Sequence, residues 1–197
     1  MTKSERTRQY ILEKTAPVFN QYGFEGASLS RLQQVTGLTK GSLYGNFSDK
    51  EQIAKEALLF SMAKVREFVG ARLAKEKTAK KKLMALLTFY GEYVFDPPVP
   101  GGCPLLNSAI EADDHQTFLK RTVAKEIENT ISFIAQLLDE GRRNGEFRSG
   151  FRSAELATIL FSSVEGALMV SRVSSNDSAM KAVIKHGKYI LDSISIK

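Results

Sequence analysis

Apolar residues recur at three- and four-residue spacing along most of the chain, the period of helices rather than strands. Over Ser4–Tyr22 the positions Ile11, Thr15, Val18 and Tyr22 share one face, flanked by Leu12, Ala16 and Phe19;. Gly23 is expected to end this helix. Pro17 lies within it, and because an interior proline costs ~3 kcal/mol a slight kink is expected there. Leu29, Leu32 and Val35 form the next apolar face, with Ser28 or Ser30 as its cap and Gly37 as its stop;. Thr39 caps a further short helix with Leu43 and Phe47 behind it, leaving Lys40, Ser42, Tyr44 and Asn46 outward. Two short helices about a glycine turn form a helix-turn-helix, whose second helix is short enough to enter the DNA major groove.

Beyond Phe47, Ser48 or Asp49 starts a long helix from Lys50 to about Glu76, with Ile53, Ala57, Phe60, Lys64, Phe68 and Leu73 as its stripe. A second follows from Thr78 to Phe95, carrying Leu83, Leu86, Leu87, Tyr90 and Val94. The prolines and glycines of Asp96–Gly102 predict an irregular loop;. A short helix over Cys103–Glu111 precedes a longer one from Gln116 to Asn144, with Phe118, Ile127, Ile131, Ile134 and Leu138 on its face. Ser153 is expected to cap a helix to Ser171, and the last runs from Ser178 to Ile194. The prediction is an all-α chain of about nine helices without strands. It divides into a three-helix head over residues 1–50 and a larger helical body over 51–197.

Charge sharpens this division. The chain of 197 residues has a net charge of +6, which favours an acidic partner;. Residues 1–50 hold seven Lys/Arg against four Asp/Glu, and residues 64–82 hold eight against two. Residues 83–150 are net acidic, six against ten, so the basic charge lies where a DNA-facing head would need it;. Arg6 and Arg8 are placed either to reach phosphate or to stand as solvated charges at a frayed end.

Other chemistry is sparse. The single cysteine, Cys103, rules out an internal disulfide framework and has no second thiol to resolve an oxidised state;. Its place at a helix start would lower a thiol pKa, but a small buried side chain explains it more simply. Glu111, Asp113, Asp114 and His115 read as a solvated helix end, with Asp114 as a cap, rather than a metal site. No nucleophile lies near a base, and neither a phosphate loop nor a cofactor motif occurs, so no enzyme, cofactor or metal is expected. A polar N-terminus and the lack of an apolar run approaching membrane-span length predict a cytoplasmic protein without a membrane partner.

Tyr22-Gly23-Phe24, the run Gly37-Leu38-Thr39-Lys40-Gly41-Ser42-Leu43-Tyr44, then Phe47 and Lys50-Glu51 together resemble the N-terminal signature of the tetracycline-repressor (TetR) family. Gln33 and Thr36 replace alanines usual in that family, and Asn46 replaces a frequent histidine or tyrosine. The resemblance implies that Thr39, Lys40, Gly41 and Ser42 approach the duplex first, with Lys40 and Ser42 at base edges or nearby phosphates. It also implies phosphate contacts from Tyr44 and Lys50 and, on the preceding helix, from Ser28 and Ser30. Asn46 is left for the backbone or a base.

The body is similar to the same family's ligand-binding and dimerisation domain, including a Gly-Cys-Pro-Leu-Leu-Asn segment at 102–107. In that family the last two helices pair with a second subunit as a four-helix bundle. The expected stripes are Leu156, Ile159, Leu160, Ser163, Ala167 and Val170, then Val183, Ile184, Gly187, Ile190, Leu191 and Ile194. A pocket between body helices would draw on Phe89, Tyr90, Tyr93, Asn107, Phe118, Phe133, Phe161, Glu165 and Met169;. Glu165 needs a partner to offset desolvation, whether a cationic ligand, Arg172 or a group across a dimer. The function this implies is a ligand-responsive, homodimeric transcriptional regulator, a repressor on a palindromic operator released by a small hydrophobic molecule. The alternative is a DNA-bound factor whose body engages a protein.

Overall fold

The computed structural model describes residues 2–196, and among them the secondary structure is helical apart from one isolated bridge. The helices are α1 (Lys3–Gly26), α2 (Leu29–Thr36), α3 (Lys40–Tyr44), α4 (Lys50–Leu73), α5 (Ala79–Tyr93), α6 (Pro104–Asp114), α7 (Thr117–Arg143), α8 (Ser153–Val173) and α9 (Ser178–Ile194). The all-α expectation holds. Two compact units emerge: the chain up to Val65 with Pro98–Glu126, and Arg66–Pro97 with the chain from Ile127 onward. Residues of α4 and α7 contribute to both.

In the first unit α1 opens with a capping box. Thr2 accepts from the Glu5 N–H while the Glu5 carboxylate takes the Thr2 N–H;. Non-helical dihedrals inside α1 fall at Gly23 (φ +68°), so the break lies there rather than at Pro17, and helix resumes as far as Gly26. Tyr22 is 52% exposed, outside the core the apolar stripe assigned it to, whereas Asn20 is buried. The core of the head joins Ile11, Val18, Ala27, Leu32, Leu43, Phe47 and Ile53. Asp49, not Ser48, caps α4: its carboxylate accepts the Gln52 N–H at 2.7 Å, and this bond holds its pKa below the usual aspartate value;. One buried line of α4 is Ile53, Ala57, Ser61, Val65, Val69 and Leu73, every fourth residue, with Ala54, Leu58 and Met62 buried beside it. Phe68 lies off that line and is half exposed.

In the second unit α9 packs on α5 and α8, and α5 touches α8. The first turn of α5 receives a carboxylate: Glu146 accepts from the N–H groups of Ala79 and Lys80, each at 3.0 Å. Such groups have no partner within the helix, and negative charge suits a helix N-terminus. The same segment joins the C-terminal end, Arg148 donating to Ile194 and Ile196 to Glu146 through the backbone. Glu146→Ala is expected to destabilise this unit by about 1–3 kcal/mol through the abandoned donors. Glu146→Gln, which keeps one acceptor, should recover part of the loss in a urea titration.

The outer two helices differ from expectation. Ser153 is the first residue of α8 rather than its cap, and its hydroxyl donates to Asp139 at 2.6 Å. That bond and the neighbouring Arg142 hold the Asp139 carboxyl below its usual pKa;. By length and composition alone α8 is apolar enough to cross a membrane, a test that the core helix of a folded domain also passes; it carries Glu165 and Arg172 and packs on α9. The stripe read on α9 turns inward, with Gly187, Leu191 and Ile194 buried; a Cβ at Gly187 would lie 2.7 Å from Leu87. Outward on α8 stand Ile159, Met169, Val170 and Val173, and on α9 Tyr189, all exposed.

Candidate nucleic-acid interface

The turn between α2 and α3 follows from three residues. Ser28 caps α2 by accepting from the Arg31 N–H, and its hydroxyl also meets that of Ser30 at 3.0 Å. Gly37 ends α2 in the left-handed region (φ +68°, ψ 12°), its N–H reaching the Gln33 carbonyl at 2.8 Å;. Thr39 caps α3 through the Ser42 N–H. Thr36, in place of the family's alanine, is buried without loss: its hydroxyl donates to Leu32 at 2.7 Å and accepts from the Leu38 N–H. Tyr10 donates to the Thr36 carbonyl, tying α1 to the turn.

Leu43 and Phe47 are fully buried behind α3. Ser28, Ser30, Thr39, Lys40, Gly41 and Ser42 are exposed, six of the nine DNA-contact candidates. The other three are half-buried. Tyr44 packs on the head core, with the Lys40 ammonium 6.0 Å from its ring centre. Asn46 spends its side-chain amide on the Ser42 carbonyl at 2.9 Å. Lys50 lies over the Phe24 ring at 4.2 Å; burial pushes its pKa down, while Glu25 and Glu111 push it back up. The recognition helix itself is one turn and a little more, since α3 ends at Tyr44 and a turn carries the chain to Phe47.

Arg8 is not a free phosphate hook. One guanidinium nitrogen meets both Glu56 oxygens at 2.6 and 2.7 Å, and the other donates to the Asn46 carbonyl. Nothing in the local spacing announces this pair. A second group missed from sequence is Asn20, buried in α1 three residues before the Gly23 break. Its amide donates to the carbonyls of Pro100 and Gly102, each at 2.9 Å, and it accepts from Asn107 at 2.9 Å. The Gly-Cys-Pro-Leu-Leu-Asn segment therefore fastens α6 to α1. Glu111 of α6 adds a bond from the Phe24 N–H at 2.8 Å, and Phe118 meets Phe24 edge-on. The detectable signal for Asn20 was a polar residue within a buried helical stretch.

The effector candidates fall in both units. Asn107 and Phe118 belong to the first unit and are engaged as just described. In the second unit Phe89, Tyr90 and Tyr93 form one aromatic cluster with ring centres 5.2 to 5.5 Å apart. Arg72 lies over Phe89 and pairs with Glu92, which lowers the Glu92 pKa. Glu165 is buried, Phe161 half-buried, and Phe133 and Met169 exposed. Arg172, considered as a partner for Glu165, donates to the Val94 carbonyl. A cavity of about 20 Å³ beside Phe19, Asn20 and Phe24 has room for little more than one water;. An open groove of about 550 Å³ runs past Arg72, Lys75, Lys81 and Thr88, and none of the nine candidates lines either space. Cys103 is buried at the α6 start, its sulfur accepting the Leu106 N–H at 3.4 Å. Among the described residues no three His, Cys, Asp or Glu side chains gather as metal ligands.

Comparison with known proteins agrees with this geometry. Residues 11–57 match the model of bacterial regulatory proteins of the tetR family, and residues 79–187 match a tetracyclin repressor-like C-terminal domain. A transcriptional regulator from Cytophaga hutchinsonii superposes with a TM-score of 0.93 and 34% identity, covering 100% of this chain and 98% of that one. One from Chloroflexus aurantiacus gives 0.92 and 32%, covering 99% and 98%. The HTH-type transcriptional repressor DhaR of Mycobacterium sp. (strain GP1) is 21% identical, covering 86% of this chain and 84% of its own.

Proposed function

Because the chain belongs to the tetR family of bacterial regulatory proteins, we propose that it represses transcription as a two-fold dimer on a palindromic operator. The observation that carries the DNA-reading part is the left-handed turn at Gly37 between two capped helices. It leaves Lys40 and Ser42 exposed on α3 while Leu43 and Phe47 hold its rear. Lys40 and Ser42 meet base edges or phosphates; Ser28 and Ser30 add phosphate contacts from α2. Tyr44 does so from its place against the head core, and Lys50 after turning from the Phe24 ring and the Glu25 and Glu111 carboxylates near it. Phosphate contacts position the protein, and the few base contacts give it preference.

Dimerisation through α8 and α9 is supported by their outward apolar residues, Ile159, Met169, Val170, Val173 and Tyr189. Gly166 on the same side of α8 has open space where a Cβ would stand, which permits close approach of a second helix. A dimer supplies the second recognition helix that discrimination needs. Release follows when a small apolar molecule binds the second unit in preference to the DNA-competent state, moving α4. A ligand with equal affinity for both states would change nothing. Such a repressor works on DNA in the bacterial cytoplasm and performs no catalytic step.

The interface assignment makes a measurable prediction. Lys40→Ala should weaken binding to mixed-sequence duplex DNA and reduce the slope of log affinity against log salt by about 1, without changing the melting temperature. An unchanged slope and affinity would remove Lys40 from the interface. For the effector, any compound that binds the second unit and leaves operator affinity unchanged at saturation is not an inducer; if all are of that kind, ligand release is wrong.

A further inference from the structure

A five-residue helix cannot fix its own orientation, because helix nucleation is costly and so short a run recovers little of it;. The seat of α3 must be imposed by its neighbours. Leu43 and Phe47 anchor its rear face, but two apolar side chains resist rotation poorly at the end where the helix stops. At that end stands the Asn46 carbonyl, and the Arg8 guanidinium donates to it. The same planar group takes both Glu56 oxygens and covers the Phe47 ring, its carbon 4.2 Å from the ring centre. One side chain thus joins α1, the end of α3 and α4.

We propose that Arg8 and Glu56 are positioning residues: they set the angle at which α3 meets the major groove and do not themselves touch DNA. This rests on the reading of α3 as the DNA-reading helix. The pair is only partly exposed, 32% and 28% for the two side chains, and its acceptors fix the fork in one direction. A lysine cannot reproduce it, because an ammonium on a flexible stem lacks the planar fork that meets a carboxylate and a carbonyl together. Charge and positioning predict opposite signs at Glu56. Removing an acidic residue near a polyanion should tighten binding if charge alone matters. If Glu56 aims Arg8, its loss should weaken binding to the preferred sequence.

The test compares wild type, Arg8→Lys and Glu56→Gln on two duplexes, one recovered from a random pool by the wild-type chain and one of mixed sequence. Neither variant loses positive charge. Expected is about a tenfold loss on the recovered duplex for Arg8→Lys and a smaller loss for Glu56→Gln, with mixed-sequence affinity and its salt slope held. Melting temperatures check that each variant is folded; should Arg8→Lys fold poorly, Glu56→Gln decides by the sign of its effect. Tighter binding by Glu56→Gln, or full affinity in Arg8→Lys, overturns the positioning role alone. Failure of the wild-type chain to recover any preferred duplex overturns the reading of α3 and this proposal with it.

Discussion

Phe47→Ala is expected to abolish selective DNA binding and to destabilise the first unit by about 3–5 kcal/mol. Its ring is 2% exposed and belongs to the cluster that unites α1, α2, α3 and the start of α4. Truncation removes buried area and leaves a cavity among the helices packed around it;. It also removes the surface on which Arg8 rests. Chemical denaturation should show the loss directly. Lys40→Ala offers the contrast, since an exposed side chain can weaken DNA binding without moving the unfolding midpoint. Equal stability of Phe47→Ala and wild type would mean that α3 is seated by something other than this core.

Asn20→Ala should cost about 3 kcal/mol, an unusual sum for one polar side chain. Two carbonyls, of Pro100 and Gly102, lose their donor, and the Asn107 amide loses one acceptor, in a place where water has little access. Asn20→Asp is nearly the same size and should be no better, because a carboxylate facing two carbonyls cannot donate. Gly101 gives an independent route to the same joint: at φ +113°, with an ideal Cβ only 2.8 Å from Asn20 backbone atoms, it tolerates no side chain;. Hydrogen exchange should report faster exchange of α6 amides in each variant. Retained protection would show that α6 is held to α1 by Glu111, the Asn107 bond to the Asn20 backbone carbonyl and the apolar contacts, without the Asn20 side chain.

The sequence made local features legible and distant ones not. The caps at Ser28 and Thr39, the stop at Gly37 and the buried pair Leu43 and Phe47 are each encoded within a few residues, and the structure reproduces them. The last helix, Ser178–Ile194, was equally plain from its period. Partners across long separations were not. Arg8 and Glu56 are 48 residues apart, and Asn20 and Asn107 are 87 apart, so spacing carries no trace of either. Helical period also fails to say which neighbour a face meets. On α9 the stripe assigned to a second subunit packs on α5, and Phe68 lies half exposed beside an α4 line of every fourth residue. Tyr22 shares the apolar face of α1 by spacing yet stands outside the core, under the Arg31 guanidinium at 3.8 Å. Aromatic residues at helical spacing serve a core and a pocket equally well, so spacing alone does not place an effector.

The most direct test of the DNA-reading account is to sequence the duplexes that the full chain retains from a random pool. An inverted repeat with half-sites about one or two helical turns apart, read by two copies of α3, is the expected result. That repeat should disappear from the pool retained by Lys40→Ala. A retained pool as varied as the starting one would contradict it.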